Sequence, residues 1–200
     1  MKMSRLEKKF VNSLKQGKKN VEVAQRLVEK IGLGDVREVL EVGCGVGFLA
    51  SHLAREREMN VTGIDLDPDQ VARARKESRE CDHLRFLEGD ATKLPFENGR
   101  FDMVLSFDVL HHIPNWTEAL NEVSRVLRSD GIYVLNDLAL PGFTVNTLGD
   151  LLRGRMGVYS IDDIIGELVR NHLVALYLER PTANLLMRHF SVVSRRRREV

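Results

Sequence analysis

The chain has 200 residues and a mass of 22.8 kDa, the size of one domain. Hydrophobic residues make up 43%, charged residues 30%, and the mean hydropathy is -0.22, which excludes a disordered chain. Thirty Lys and Arg against 29 Asp and Glu leave a formal charge of +1, so the basic surplus usual in a nucleic-acid binder is missing. No apolar run approaches the ~18 residues of a membrane span, and the N-terminus lacks the apolar stretch of a secretory signal. Two cysteines, Cys44 and Cys81, make no disulfide framework and lack metal-ligand spacing. The expectations are a cytoplasmic protein with no metal site. Charge is uneven: residues 1–30 hold nine Lys or Arg against three Glu, and Arg195–Arg198 is a basic run. A solvated helix face and a frayed tail explain both ends; contact with an anionic partner is the sharper alternative.

In chain order, Val21, Ala24, Leu27, Val28 and Ile31 recur at helical spacing, ended by Gly32 and Gly34. From residue 38 short apolar runs alternate with amphipathic stretches. Glu38–Val42 is a predicted strand and 47–57 a helix. Val61–Asp65 is the second strand, and Asp67-Pro68 opens a helix with Asp as N-cap and Pro at its first position. Leu84–Glu88 and Phe101–Phe107 are the third and fourth strands, the latter apolar enough for burial on both faces. Asn115–Leu127 is a helix, Ser129-Asp130-Gly131 a turn, and Ile132–Asp137 the fifth strand. This alternation predicts a mostly parallel sheet covered on both sides. Ser160 and Asp163 then resemble a capping box before the stripe Ile161, Ile164, Ile165, Leu168 and Val169. Leu173–Glu179 and Phe190–Ser194 are joined by a loop near Pro181, too short for a crossover, so an antiparallel strand closes the sheet.

Residues 39–50 read VLEVGCGVGFLA. Gly43, Gly45 and Gly47 lie between a strand and a helix, where glycine permits positive φ and close ligand approach. Ligands bind beyond the carboxyl ends of parallel strands. The dinucleotide fingerprint fails because its sixth position is Phe48, and the phosphate loop fails because no Lys follows Gly47. Glu41 suits a cationic amine better than a pyrophosphate. Asp65 ends the second strand, placed to accept from the two hydroxyls of a ribose. Asp90 follows the third, where an acid can accept from the amine of adenine.

The segments LEVGCGVG, VTGIDLDPDQVARAR, LEGDATKLPFENGRFDMVLSFDVLHHI and EVSRVLRSDGIYVLND resemble the class I S-adenosylmethionine-dependent methyltransferases, in particular the ubiquinone/menaquinone-biosynthesis (methyltransferase type 11) group. They cover about half the chain. The resemblance implies a Rossmann-like, doubly wound seven-stranded α/β sheet, mostly parallel with the last strand antiparallel. It implies S-adenosylmethionine as cofactor and S-adenosylhomocysteine as product. By position, Gly43, Cys44, Gly45 and Gly47 line the methionine part with Glu41 near its amine. Asp65 holds the ribose, Leu66 packs on the adenine, and Asp90 accepts from its amine beside Ala91. The backbone around Phe107 faces the methionine end. The expected single domain over 1–200 has a helical cap (1–34), a cofactor-binding core (38–137), a variable substrate lid (138–159) and a helix with a strand hairpin (160–200).

Methyl transfer is an in-line displacement in which the protein mainly positions the reactants, so a catalytic residue is optional. Candidate bases are Asp108, His111 and His112; a structural role for the His pair is the alternative. The run Asp108-Val109-Leu110-His111 lacks the two prolines and the aromatic that nucleobase amino-methylating enzymes carry there. Trp116 either stacks on a planar acceptor or packs at its helix start. Leu138, Leu140, Phe143, Leu148, Leu151 and Leu152 suggest an apolar wall, with Arg153 and Arg155 for an anionic group. The expected function is methyl transfer to a small-molecule acceptor by a monomer or homodimer. The alternatives are an RNA or protein methyltransferase using the basic termini, an inactive cofactor-binding partner subunit and, more distantly, a nicotinamide oxidoreductase.

Overall fold

The computed structural model describes residues 14–32, 34–57, 59–78, 81–145, 151, 154–180 and 188–198. Its main elements are α1 (Leu14–Ile31), β1 (Glu38–Val42), α2 (Phe48–Arg57), β2 (Asn60–Asp65), α3 (Pro68–Glu77), β3 (Leu84–Glu88), β4 (Phe101–Phe107), a 3-10 turn (Leu110–His112), α4 (Trp116–Val126), β5 (Leu127–Ala139), α5 (Ile161–Arg170), β6 (Leu173–Glu179) and β7 (Arg188–Arg196). The strands form one sheet in the order β3-β2-β1-β4-β5-β7-β6. The first five in that order pair in parallel, and β7 runs antiparallel to both β5 and β6. The chain winds outward from β1 through β2 to β3, then resumes at β4 on the other side of β1. That reversal opens a crevice beyond the carboxyl ends of β1 and β4.

Side-chain alternation sends each strand's apolar residues to two cores. Val39, Met103 and Leu105 pack with Leu49, Ala50 and Leu53 of α2 and with Ala24 and Leu27 of α1. On the opposite face Leu40, Val104 and Leu135 meet Leu120 and Val123 of α4 and Ile164 and Leu168 of α5. All seven positions of β4 are buried, Asp102 and Ser106 included, as its largely apolar sequence predicts. Each fully buried Leu or Ile contributes ~1.5–3 kcal/mol, which is how an amphipathic helix of ten residues is held in place.

Two helix starts follow their sequence signals. Asp67 caps α3 by accepting from the Asp69 N–H at 3.0 Å, with Pro68 at the first helical position. Ser160 Oγ accepts from the Asp163 N–H at 3.1 Å, and Asp163 Oδ2 accepts from the Ser160 N–H at 2.8 Å. The shorter Asp thus completes a capping box.

Two expectations are corrected. The turn predicted at Ser129-Asp130-Gly131 is an excursion inside β5, which already pairs at Leu127 with Phe101 and resumes at Ile132 opposite Met103. Asp130 takes φ 62° there. The basic tail is not frayed over its described part. Arg195 and Arg196 extend β7 beyond Ser194, Arg196 donates to the Leu127 carbonyl, and Arg198 pairs with Asp130. These arginines pin the excursion in β5. The loop near Pro181 and the lid residues Leu148, Leu152 and Arg153 lie outside the described residues.

Candidate functional site

A cleft of about 290 Å³ lies at the carboxyl ends of β3, β2, β1 and β4. The strand ends build its wall in order: Asp90 and Ala91 after β3, Asp65 and Leu66 at β2, Gly43 and Gly45 after β1, Phe107 and Asp108 at β4. Residues His112–Asn115 close the remaining side.

The glycine loop is shaped by its neighbours. Gly43 takes φ 72° and Gly47 φ 76°, which any L side chain disfavours. A Cβ on Gly43 would stand 2.2 Å from Val109 Cγ2, and one on Gly47 2.3 Å from Phe86 Cζ. The N–H groups of Gly43 and Cys44 donate to the Ile64 carbonyl. Asp65 fixes the next step: Oδ2 accepts from the Gly45 N–H at 2.8 Å and Oδ1 from the Asp67 N–H at 2.9 Å. Beside it Leu66 is 54% exposed, an apolar surface that water would otherwise cover. Asp90 Oδ1 accepts from the Thr92 N–H and hydroxyl at 2.8 and 2.9 Å, and its Oδ2 accepts from no donor among the described residues.

Four residues expected at the cleft stand elsewhere. Glu41 shares its strand face with Val39 and is buried under the start of α2, where Oε2 accepts from the Ala50 N–H at 2.9 Å. Burial, and secondarily the Asp65 charge, push its carboxyl up to about 8 against the lowering effect of that hydrogen bond. Its protonated form is thereby favoured. Cys44 is buried behind the loop, with burial pushing its thiol well up, and Gly47 turns the chain into α2 without reaching the wall. Trp116 is half-buried and meets Tyr159 edge-on at 5.1 Å between centroids, so it packs at the helix start.

The candidate bases divide. Asp108 and His112 line the cleft; His111 does not. His111 Nδ1 stands 2.5 Å from Oδ1 of the fully buried Asp137. Asp137 also accepts from the N–H groups of Leu110 and Leu138, both at 2.7 Å, and of Val109 at 3.2 Å. The 3-10 turn is therefore hung on Asp137, and His111 is part of that support. The two adjacent rings still stand 4.0 Å apart, because a 3-10 turn does not separate neighbours as a strand does. Asp108 takes φ 55° and accepts at Oδ2 from Gln16 Nε2 at 2.9 Å. Burial first, and Asp137 further, raise its carboxyl, while His189, His111 and the Gln16 hydrogen bond act the other way. Sequence reasoning missed Asp137, Gln16 and His189, whose partners are distant in the chain. Among the described residues no His, Cys, Asp and Glu cluster suits a metal ion.

Comparison with known proteins agrees with this geometry. Residues 40–135, just under half of the chain, match the methyltransferase domain family. The chain is 42% identical over 102 residues to a fatty-acid O-methyltransferase of Mycolicibacterium smegmatis, a match covering 50% of the chain and 37% of that protein. It is 32% identical over 152 residues to the phthiotriol/phenolphthiotriol dimycocerosates methyltransferase of Mycobacterium leprae, covering 76% of the chain and 56% of that protein. The chain thus spans between about a third and just over half of these relatives. Its fold superposes on a geranyl diphosphate C-methyltransferase from Streptomyces coelicolor A3(2) with a TM-score of 0.72 at 17% identity, over 92% of the chain and 83% of that one. That protein was solved with Mg2+, geranyl diphosphate and S-adenosyl-L-homocysteine.

Proposed function

We propose that the chain is an S-adenosylmethionine-dependent methyltransferase acting on a small, largely apolar molecule. The observation that carries the reading is the row Asp90, Leu66, Asp65, Gly45 along one cleft wall. The residues fit the cofactor. A carboxylate offers about four lone-pair sites, so Asp65 can accept from ribose hydroxyls while keeping Gly45 and Asp67. Leu66 supplies an apolar platform for a base, and Asp90 Oδ2 an acceptor for its amine. Glu41 acts from behind, holding α2 and the loop to β1. The bound sulfonium supplies an activated methyl group. The chain's own task is to hold the nucleoside over β2 and β3, leave the far end over β1 and β4, and exclude water there.

Apolar acceptors are favoured by Val109, Ile113 and Phe107 on the wall and by the lipid substrates for which the relatives are named. The C-terminal arginines give little to an RNA reading, since Arg196 and Arg198 are spent on β5. Among the described residues no helix is long and apolar enough to cross a membrane; we place the protein in the cytoplasm, where two free cysteines persist. The test is to incubate the protein with methyl-labelled S-adenosylmethionine, a lipid extract and total RNA. Label passing into the organic phase supports the reading, and label confined to RNA contradicts it.

A further inference from the structure

Three elements converge on Asp108 at the end of the cleft away from Asp65 and Asp90. Gln16 comes from α1, the Asp137-held turn follows β4, and His189 comes from β7. His189 pairs in register with Leu138, which brings its ring to the end of β5. Its Nε2 stands 3.5 Å from Asp108 Oδ1. That oxygen is buried and accepts no hydrogen bond among the described residues, while the same carboxyl forms part of the cleft wall. Among the described residues Asp108 is also one of three non-glycine residues at positive φ, the kind of strain that gathers at functional turns.

Resting on the cofactor reading above, we propose that Asp108 is the general base for a hydroxyl acceptor, and that His189 is the positioning residue that shares the proton with it. The strand order places Asp108 at the methyl end, since the nucleoside contacts lie over β2 and β3. In the step, the acceptor O–H bond breaks toward Asp108 as the oxygen bonds to the methyl carbon. The carbon–sulfur electron pair leaves on sulfur, giving a methyl ether, a neutral thioether and one proton on the Asp108–His189 pair. A carboxylate acceptor needs no base and would be repelled by Asp108. A neutral amine acceptor needs no base for its attack, since its proton leaves after the transfer.

The groups facing this pair are Asp137, His111, Gln16 and Lys19. Burial lowers the His189 pKa and the Asp108 charge raises it; in turn His189 lowers that of Asp108. Two measurements therefore report on the pair. By NMR in ligand-free protein, Asp108→Asn should move the His189 titration midpoint down by ~1 unit, the scale of a close opposite charge. With decan-2-ol and decanoate as acceptor probes, wild-type protein should methylate the alcohol in preference. Asp108→Asn should lower kcat on the alcohol ~100-fold or more. His189→Gln should move the acidic limb of its pH profile to higher pH, which a merely structural histidine would not do. An unmoved midpoint, an Asp108→Asn rate equal to wild type, or preference for decanoate would overturn the proposal. Calorimetric affinity for S-adenosylhomocysteine, measured on the same proteins, separates its failure from failure of the cofactor reading.

Discussion

Asp137 holds His111: Oδ1 of this fully buried carboxylate stands 2.5 Å from Nδ1 of the ring. The same carboxylate gathers the N–H groups of Val109, Leu110 and Leu138. One side chain at the end of β5 thus builds the turn that forms one side of the cleft. Asp137→Ala leaves three buried or half-buried donors without an acceptor, each costing ~1–3 kcal/mol. Denaturant unfolding should show a loss of about 3 kcal/mol or more. A loss below about 1 kcal/mol would mean that water or a neighbour takes over.

Asp65→Ala removes the acceptor for Gly45 and Asp67 and, on the cofactor reading proposed above, for a ribose. Hydrogen bonds to a charged acceptor contribute ~1.5–3 kcal/mol each, so S-adenosylhomocysteine should bind roughly tenfold more weakly or worse. Titration giving an unchanged Kd would remove Asp65 from the nucleoside contacts.

Gly43→Ala places a Cβ 2.2 Å from Val109 Cγ2 at φ 72°. Overpacking costs ~1–3 kcal/mol, and the left-handed backbone adds ~1 kcal/mol. The melting temperature should drop. Adding Val109→Ala should restore only the steric part, because the strained φ remains. Full recovery in the double variant would show that backbone conformation does not matter at this position.

Glu41 gives a pH signature. Its carboxyl lies at about 8 in the folded protein against an ordinary 4.5, so between those values the folded state binds the extra proton. Stability is whole below about 4.5 and falls as pH rises toward 8. Glu41→Gln keeps an acceptor for the Ala50 N–H and has no proton to lose. Its stability should fall less over this range, by on the order of a few kcal/mol. Parallel unfolding curves for the two proteins from pH 5 to pH 8 would refute a buried neutral Glu41.

The sheet and half of the site were readable because their signals are local. Alternating apolar runs marked Glu38–Val42, Leu84–Glu88 and Phe101–Phe107 with their observed bounds. Asp65 announced itself by ending a strand and Asp90 by following one two residues on. Glu41 was legible only in part: its acid type suggested a cationic ligand, but strand parity with Val39 turns it toward α2. The acceptor end was not legible. Gln16 meets Asp108 across 92 residues and His111 meets Asp137 across 26, and no spacing rule joins such pairs. The Arg196 and Arg198 contacts with the β5 excursion escaped for the same reason, since a run of arginines looks alike whether solvated or pinned.

The central claim is that this cleft binds S-adenosylmethionine. The most direct test is calorimetric titration of the protein with S-adenosylhomocysteine, with NADH in parallel. Saturable binding of S-adenosylhomocysteine at one site, with no heat from NADH, is the predicted result. Binding of NADH alone would contradict the assignment of Asp65, Leu66 and Asp90, and with it the methyl-transfer reading.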